Sequence, residues 1–313
     1  MNYYKFQLLL ITVFALFLSC KKNEIIIKKN EPFDKPVNAI AVQEDIIWVG
    51  TFEDGIYKLE DDLWTNYTTE DGLLSNYITS FLVDSSNSVW IGTQMGLTKI
   101  ENNIWIHFTI DSGLYNNSIR SLACDLENNI WIGSVRNRVT RYDGSNFTNY
   151  HVNPEVSGDP GIGHIHTITC DLEGNIWVGS CMTGISVFDG TTWYDYVNEL
   201  QLHNFVEMSA CDLNGAVWIS DYTAIYRYYD NIWTKYDSDD GLSYTSIACI
   251  DVDDQNNIWI GTDMGISKFN GISWTNYTVD NESFSAPVTS LACDNNGAVW
   301  IANSKGLFKF IPN

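Results

Sequence analysis

IWIGT, at residues 258–262, is one of seven related strings along this chain, each with Trp at its second position. The other six are IWVGT (47–51), VWIGT (89–93), IWIGS (130–134), IWVGS (176–180), VWISD (217–221) and VWIAN (299–303). Successive tryptophans are 41 or 42 residues apart, except for one interval of 46. A period near 40 that carries β-rich strings indicates repeated β units that pack against one another. Seven such units closing into a ring predict an all-β fold, a seven-bladed β-propeller.

Each repeat divides into four short strands, which we label A to D in chain order. In residues 119–150 they are IRSLACD, IWIGS, VTRYD and FTNY, separated by polar turns. Short β-rich runs with turn residues roughly every 8–12 positions are typical of such folds. The twelve tryptophans all fall on strand B or strand D, which indicates packing between neighbouring blades.

The last repeat has strands A to C but no strand D before Asn313. Alignment of the repeats places EIIIK, Glu24 to Lys28, opposite strand D of the first repeat. We therefore predict that this segment supplies the missing strand near Leu307 to Phe310 and closes the ring. Closure protects two sheet edges that would otherwise stay open.

The N-terminus resembles a bacterial lipoprotein signal peptide over residues 1–19. Lys5 precedes the apolar run LLLITVFALFL, and FLSC ends at Cys20 like a lipobox. We expect Cys20 to carry lipid, residues 20–36 to form a tether and the closing strand, and residues 37–313 to form a single propeller. Lys21, not Asp, follows the cysteine, which in similar lipoproteins implies the outer membrane, facing the periplasm or the surface. Plain secretion and an uncleaved anchor are the alternatives.

The chain is strongly acidic, with a formal net charge of −22, and loss of Lys5 with the signal peptide would make it −23. Nucleic-acid binding needs a basic surface, so this class of partner is excluded. Of the seven cysteines, Cys124, Cys170, Cys211 and Cys293 share a repeat position with Val42, Val83 and Val252. This exchange predicts small, buried, free thiols. Cys181 and Cys249 lie at other positions.

Candidate functional residues are those that depart from the repeat, and they gather on blades 3 to 5. Arg141 and Arg227 fall at a position held elsewhere by Lys58, Lys99, Val187, Lys268 and Lys309, which indicates a scaffold role. The other arginines all belong to blade 3. We predict a binding face, formed by the B–C loops and D–A connections, that takes an anionic ligand through Arg120, Arg136, Arg138, His164, His166, Glu207, Asp221 and Tyr222. The competing interpretation is loop variation without function.

Neither a metal nor another cofactor is predicted. A zinc site formed by His164, His166 and Glu207 has only the His pair in its favour. The acidic string DVDDQNN at 251–257 aligns without insertion to an ordinary A–B turn of another repeat, which argues against calcium. No nucleophile–base string is visible, so no catalytic residue is assigned.

The strings NNIWIGTDMGISKFNGISWTNYT (256–278) and TTEDGLLSNYITSFLVDSSNSVWIGTQMGLTKI (68–100) resemble the two-component regulator propeller repeat. The resemblance covers residues 36–313 and implies a periplasmic sensor-like role, which in that family commonly involves glycan fragments. We expect a monomeric, membrane-anchored lipoprotein that binds an anionic small molecule, oligosaccharide or peptide, or a protein partner. The chain also resembles the seven-bladed streptogramin lyases. The alternative function is therefore a lyase or hydrolase that uses His, Glu and Arg on the loop face.

Overall fold

Seven antiparallel sheets of four strands make up the described part of the chain in this computed structural model. The structure describes residues 24–27, 32, 35–152, 163–181, 184–196, 205–221, 224–242, 246–278 and 286–312. The all-β, seven-bladed propeller predicted from the tryptophan period is confirmed. The predicted signal peptide over residues 1–19 lies outside the described residues.

The strands follow the repeats of the sequence. The first four blades and the N-terminal strand contain β1 (Glu24–Ile27); β2 (Val37–Gln43), β3 (Ile46–Thr51), β4 (Ile56–Glu60) and β5 (Leu63–Tyr67) in blade 1; β6 (Ile78–Val83), β7 (Val89–Thr93), β8 (Gly96–Glu101) and β9 (Ile104–Phe108) in blade 2; β10 (Ile119–Cys124), β11 (Ile130–Ser134), β12 (Arg138–Tyr142) and β13 (Phe147–His151) in blade 3; and β14 (Ile165–Cys170), β15 (Ile176–Ser180), β16 (Gly184–Phe188) and β17 (Trp193–Asp195) in blade 4. The remaining blades contain β18 (Met208–Cys211), β19 (Val217–Ser220), β20 (Ile225–Tyr229) and β21 (Ile232–Tyr236) in blade 5; β22 (Ile247–Val252), β23 (Ile258–Thr262), β24 (Gly265–Phe269) and β25 (Trp274–Thr278) in blade 6; and β26 (Val288–Cys293), β27 (Val299–Asn303) and β28 (Gly306–Ile311) in blade 7. Three one-turn 3₁₀ helices, Thr69–Asp71, Ile110–Ser112 and Ser238–Asp240, begin D–A connections.

The first strand of each blade lies innermost. Strand A of one blade contacts strand A of the next, as β2 contacts β6 and β10 contacts β14, so these strands surround the axis. The contact between β2 and β26 joins blade 1 to blade 7. We call the face with the B–C loops and D–A connections the upper face, and the face with the A–B and C–D turns the lower face.

The tryptophan on strand B is held by an aspartate six residues earlier in the chain. In blade 5, Trp218 Nε1 donates a hydrogen bond of 2.9 Å to Asp212 Oδ2. The second oxygen, Asp212 Oδ1, accepts the backbone N–H groups of Asn214 and Ala216 in the same A–B turn. Blades 2 to 7 all repeat this arrangement, whereas in blade 1 Gln43 accepts from Trp48. One carboxylate therefore shapes the turn and orients the indole together.

Aromatic packing joins neighbouring blades, as predicted. The Trp218 ring stacks on Tyr236 of its own blade at 5.7 Å between centroids and meets Phe269 of the next blade at 5.5 Å. Trp218 is 1% exposed. Aromatic pairs of this kind add about 0.5–1.5 kcal/mol each beyond the area that they bury.

Blade 7 is completed by the N-terminal strand. β1 pairs antiparallel with β28, and the register joins Glu24 to Ile311 and Ile27 to Phe308. A second link lies near the axis, where Thr289 Oγ1 donates to the carbonyl oxygen of Val37 at 2.6 Å. The ring is thus joined at its outer and inner edges by residues distant in sequence.

The six described cysteines are free thiols. Cys124, Cys170, Cys211 and Cys293 are half-buried rather than fully buried as predicted, because strand A ends there at the lower face. Cys249 is buried at an inner position that blades 2, 3 and 7 fill with Ser80, Ser121 and Ser290, and blade 5 with Met208. No helix in the described part of the chain has the length and hydrophobicity of a membrane span.

Deleting residues 21–30 should lower the melting temperature of the whole ring. The deletion removes β1 and exposes the edge of β28, and backbone hydrogen bonds contribute about 1 kcal/mol each, so we expect a loss of roughly 2–4 kcal/mol. Thermal unfolding followed by circular dichroism measures it. A matched deletion of residues 21–23 stops before β1 and should leave the melting temperature unchanged. Equal melting temperatures for the two deletions would contradict the closing role of β1.

Candidate ligand-binding face

Strand A of six blades has a β-bulge at its upper end, and the residue at the bulge differs from blade to blade. The pairing register of β10 shifts between Ile119 and Ser121, which leaves Arg120 at the bulge. His166 occupies the same position in β14, between Ile165 and Thr167. Equivalent bulges contain Asn38, Thr79, Ala248 and Thr289. Bulges often re-aim a side chain at rims and active sites, so this position can vary in chemistry without disturbing the blade.

Arg120, His164 and His166 form a group on the upper face of blades 3 and 4. Burial lowers the pKa of both imidazoles, and the positive charge of Arg120 lowers it further. His164 also lowers the pKa of His166. Arg120 itself is exposed. At neutral pH the two rings are therefore neutral beside a guanidinium, and an anion bound there would favour their protonation.

The imidazoles are positioned by neighbouring backbone and aromatic groups. His164 forms a β-bridge with Val135 of the blade 3 loop, and its backbone N–H donates to Cys181 Sγ at 3.2 Å. Among the described residues, buried His164 Nδ1 has no hydrogen-bond partner. The His166 ring packs on Phe205 with 5.0 Å between centroids. Phe205 is not among the residues predicted from the sequence, although it is an aromatic residue two positions before Glu207.

Arg138 lies outside this group, contrary to the single cluster that the sequence predicts. Its Cζ atom stands 4.8 Å from the ring centroid of Tyr115, on the connection from blade 2. In the sheet it pairs with Ser134 on one side and His151 on the other. Burial lowers the pKa of His151, and Arg138 lowers it further. Arg138 therefore belongs to the outer half of blade 3, because strand C is separated from strand A by strand B.

Arg136 is exposed at the tip of the same loop in a left-handed backbone conformation, with φ 67°. Five other blades place glycine at the end of this loop and blade 5 has Ala224 there, whereas blade 3 has one extra residue and uses Arg136 and Asn137 (φ 50°) at positive φ. Asn137 is buried, and its N–H donates to the carbonyl of Gly163 at 3.0 Å. Asn tolerates this conformation, but for Arg it costs about 1–2 kcal/mol.

The three remaining predicted residues lie in or before blade 5. Glu207 is half-buried just before β18, and its N–H donates to the carbonyl oxygen of Ser220. Asp221 is 1% exposed. Its carboxylate accepts the N–H of Ala224 at 2.8 Å and the hydroxyl of Tyr226 at 3.1 Å, so it closes its own B–C loop rather than facing the rim. Tyr222 lies outside the described residues.

The scaffold role predicted for the repeated cation agrees with its contacts. Lys58, Lys99, Arg227, Lys268 and Lys309 each lie 5.0–5.8 Å from the ring centroid of the strand B tryptophan in their own blade. In blade 3, Arg141 is 3.9 Å from Asp125. These cations lie on the lower half of the blades. Within the described ranges, no group of three or more His, Cys, Asp or Glu side chains is arranged to hold a metal ion.

Comparison with known proteins identifies the repeat. The family model described as two component regulator propeller matches residues 72–95 and 241–264. Both matches begin at the Gly-Leu of a D–A connection and include the following strand B tryptophan. A search of curated proteins found no match.

Solved structures of similar fold include three relevant groups. The extracellular domain of a hybrid two-component system from B. thetaiotaomicron is 22% identical, with a TM-score of 0.73 over 89% of this chain and 39% of that one. Virginiamycin B lyase from Staphylococcus aureus is 14% identical, with a TM-score of 0.75 over 93% and 99%. PorZ, a surface component of the type-IX secretion system of Porphyromonas gingivalis, is 18% identical, with a TM-score of 0.69 over 91% and 48%. This chain spans about two-fifths of the first of these, and identities this low establish the fold alone.

Replacing Arg120 with Gln should raise the pKa of His164 and His166 together, because one positive charge that opposes their protonation is removed. An NMR pH titration of the imidazole Cε1–H signals measures both midpoints. In the unchanged protein they should lie below the usual value of about 6.5. The unfolded chain then binds more protons than the folded chain below about pH 6.5, so stability should fall as the pH drops below that value. Midpoints that do not respond to the substitution would place Arg120 away from the imidazoles.

Proposed function

Because this chain carries the repeats of the two-component regulator propeller family, we propose that it is an exported ligand-binding propeller that acts as a sensor or interaction module. The observation that carries this proposal is the group of Arg120, His164 and His166 at the inner edge of the upper face. Proteins of similar fold include an extracellular domain of a two-component system and a bacterial surface component, which supports an extracytoplasmic role. The ring supplies the scaffold, and its variable upper rim supplies the recognition.

The ligand of the upper face is anionic. The protein carries a formal charge of −22, yet the arginines that depart from the repeat all lie on blade 3. A guanidinium binds carboxylate, sulfate or phosphate through two parallel hydrogen bonds. The neutral imidazoles beside Arg120 gain a proton more easily when an anion arrives, so they add charge only to the bound state. An acidic oligosaccharide or peptide fits this chemistry.

Arg136 supports the same assignment through its backbone. A glycine at φ 67° would be free of the strain that Arg136 carries. Strained backbone positions cluster at functional sites, and Arg136 is exposed above blade 3. We therefore propose that Arg120 and Arg136 contact the ligand. Arg138, which packs on Tyr115, would support the B–C loop that carries Arg136.

Arg120→Ala and Arg136→Gly should both weaken binding of an acidic glycan or peptide selected by a thermal-shift screen. Each loses a charge-assisted contact, which reduces affinity about 10-fold or more. Arg136→Gly should at the same time raise the free energy of unfolding by about 1 kcal/mol, because it relieves the left-handed strain. Isothermal titration and urea denaturation measure the two effects, and added salt should mimic the substitutions.

Lys58→Ala and Lys268→Ala are the matched controls, since each removes a positive charge from the lower half of a blade and should leave affinity unchanged. Arg138→Ala should have a smaller effect than Arg120→Ala. If all of these variants bind the selected ligand alike, the upper rim is variable loop surface and the assignment fails.

Membrane attachment through Cys20 is the second part of the proposal. The support is the FLSC string after an apolar run, which fits lipidation at Cys20. Two acyl chains on a diacylglyceryl cysteine would anchor the protein stably at the outer membrane. The anchor would confine the propeller near its ligand or partner.

Cys20→Ala should move the protein from the membrane to the soluble fraction, because the residue that carries the lipid is gone. Fractionation of cells that express the full chain, followed by immunoblotting, measures the change. A Cys181→Ala variant is the control and should stay with the membrane. Continued membrane association of the Cys20 variant would indicate an uncleaved N-terminal anchor.

A lyase or hydrolase is the second candidate, and the specific observation in its favour is the pair of imidazoles of lowered pKa on the face that also bears Arg120. A neutral imidazole at neutral pH can act as a general base. The fold likeness to virginiamycin B lyase adds only the scaffold. Turnover of a bound ligand by the purified protein, lost in His166→Gln, would favour the enzyme over the binding module.

A further inference from the structure

Blade 4 departs from the repeat on the lower face as well, at the strand C position beside the strand B tryptophan. Six blades place Lys or Arg on strand C beside the strand B tryptophan, but blade 4 has Val187 there. In blade 7 the ammonium of Lys309 lies 5.0 Å from the centroid of Trp300 and 3.1 Å from Asp294. Trp177 and Asp171 are the blade 4 counterparts of that pair, and they form the same indole–carboxylate bond, at 2.8 Å. Blade 4 therefore keeps the aromatic and acidic partners of the cation without the cation.

A cavity of about 670 Å³ lies at this place, between blades 4 and 5. The corresponding recess between blades 1 and 2 is about 290 Å³ and is lined by Lys58 itself. Most residues that line the smaller recess have counterparts in the larger cavity, with Val187 in place of Lys58 and two tyrosines, Tyr228 and Tyr229, in place of Ile100 and Glu101. The larger cavity is lined in addition by Tyr194 and Tyr196. The larger cavity therefore includes the position that Lys or Arg occupies in the other six blades, with Val187 in its place.

The walls of the cavity suit a positive charge. Four tyrosines, Tyr194, Tyr196, Tyr228 and Tyr229, line it with Trp177. Four carboxylates also line it, from Asp171, Glu173, Asp189 and Asp230, and its described lining contains no basic residue. The backbone N–H groups of Thr192 and Thr191 hold the pKa of Asp189 well below its usual range, so this carboxylate is ionised at neutral pH. Outside the lining, Arg227 Cζ lies 4.7 Å from the ring centroid of Tyr229.

We propose that this cavity binds a ligand that presents a primary ammonium group on an alkyl chain, as a lysine side chain does. The ammonium takes the place of the repeat's own lysine, among tyrosine rings and carboxylates, and the alkyl chain packs along Val187 and Tyr228. The site is on the lower face, so it is separate from the anion-binding group on the upper face. The same chain thus recognises opposite charges on its two faces.

The experiment titrates N-acetyl-lysine methylamide into the ¹⁵N-labelled protein and follows the tryptophan indole signals by NMR. Shifts should be confined to a small subset of the twelve indoles. The Nε-acetylated probe, which has the same stem without the charge, should bind at least about 10-fold more weakly. Cadaverine serves as a second probe. If the natural ligand is a free amine, cadaverine should bind as tightly as the lysine probe, and if it is a peptide, the lysine probe should bind more tightly. Absence of any shift at millimolar probe would overturn the proposal.

Val187→Lys is the decisive variant, because it restores the residue that the repeat uses. It should reduce probe affinity at least about 10-fold and should not lower the melting temperature. Ile272→Lys is the matched control: it adds the same charge to a lower-face turn of blade 6, at a residue 90% exposed, and should leave affinity unchanged. Equal probe affinity in Val187→Lys and the unchanged protein would overturn the proposal.

Asp189→Asn provides a test that does not depend on a buried substitution. Asn270 occupies the same turn position in blade 6 and accepts the N–H groups of Ile272 and Ser273, so an asparagine is compatible with this turn. The variant should weaken probe binding by up to about 5-fold, as expected for one exposed ion pair. Arg120→Ala, on the upper face, should have no effect on this probe, which separates failure of this site from failure of the upper one.

Discussion

The bond between a turn aspartate and the indole of strand B is the interaction on which the propeller depends. In six blades one carboxylate oxygen accepts the tryptophan Nε1–H and the other accepts backbone N–H groups of the A–B turn. A buried indole N–H without an acceptor would cost about 1–3 kcal/mol per blade. Because the indole also packs against an aromatic ring of the next blade, a displaced turn would disturb the interface between two blades. This explains why turn and strand repeat together.

The same interaction shows which parts of the fold the sequence predicts and which it does not. The tryptophan period predicted the number of blades and the position of strand B in each, because a buried aromatic tolerates little displacement along a strand. The aspartate six residues earlier repeats almost as regularly in the sequence. Its role is visible only in the structure, where the indole N–H and the backbone N–H groups of the turn bond to the same carboxylate. Sequence periodicity shows which residues repeat, but the hydrogen bonds between them are seen only in the structure.

The candidate site was predictable in part for a physical reason. Arg120 and His166 could be aligned by repeat position, and they do lie at equivalent bulges. Arg138 could not be assigned, since the direction of a long side chain depends on a neighbour, Tyr115, that comes from the preceding blade. Asp221 was misjudged because an acid in a loop reads as exposed, whereas here it replaces the hydroxyl that closes the loop in other blades.

The closing strand has a consequence for how the molecule would stand on a membrane. Glu24 pairs with Ile311, and β28 runs from the upper face at Gly306 to the lower face at Ile311. A lipid on Cys20 would be four residues from Glu24, a span of at most roughly 14 Å of extended chain. The lower edge of blade 7 would then lie against the bilayer. The upper face would then point away from the bilayer, and the cavity between blades 4 and 5 would lie on the other side of the ring from the anchor.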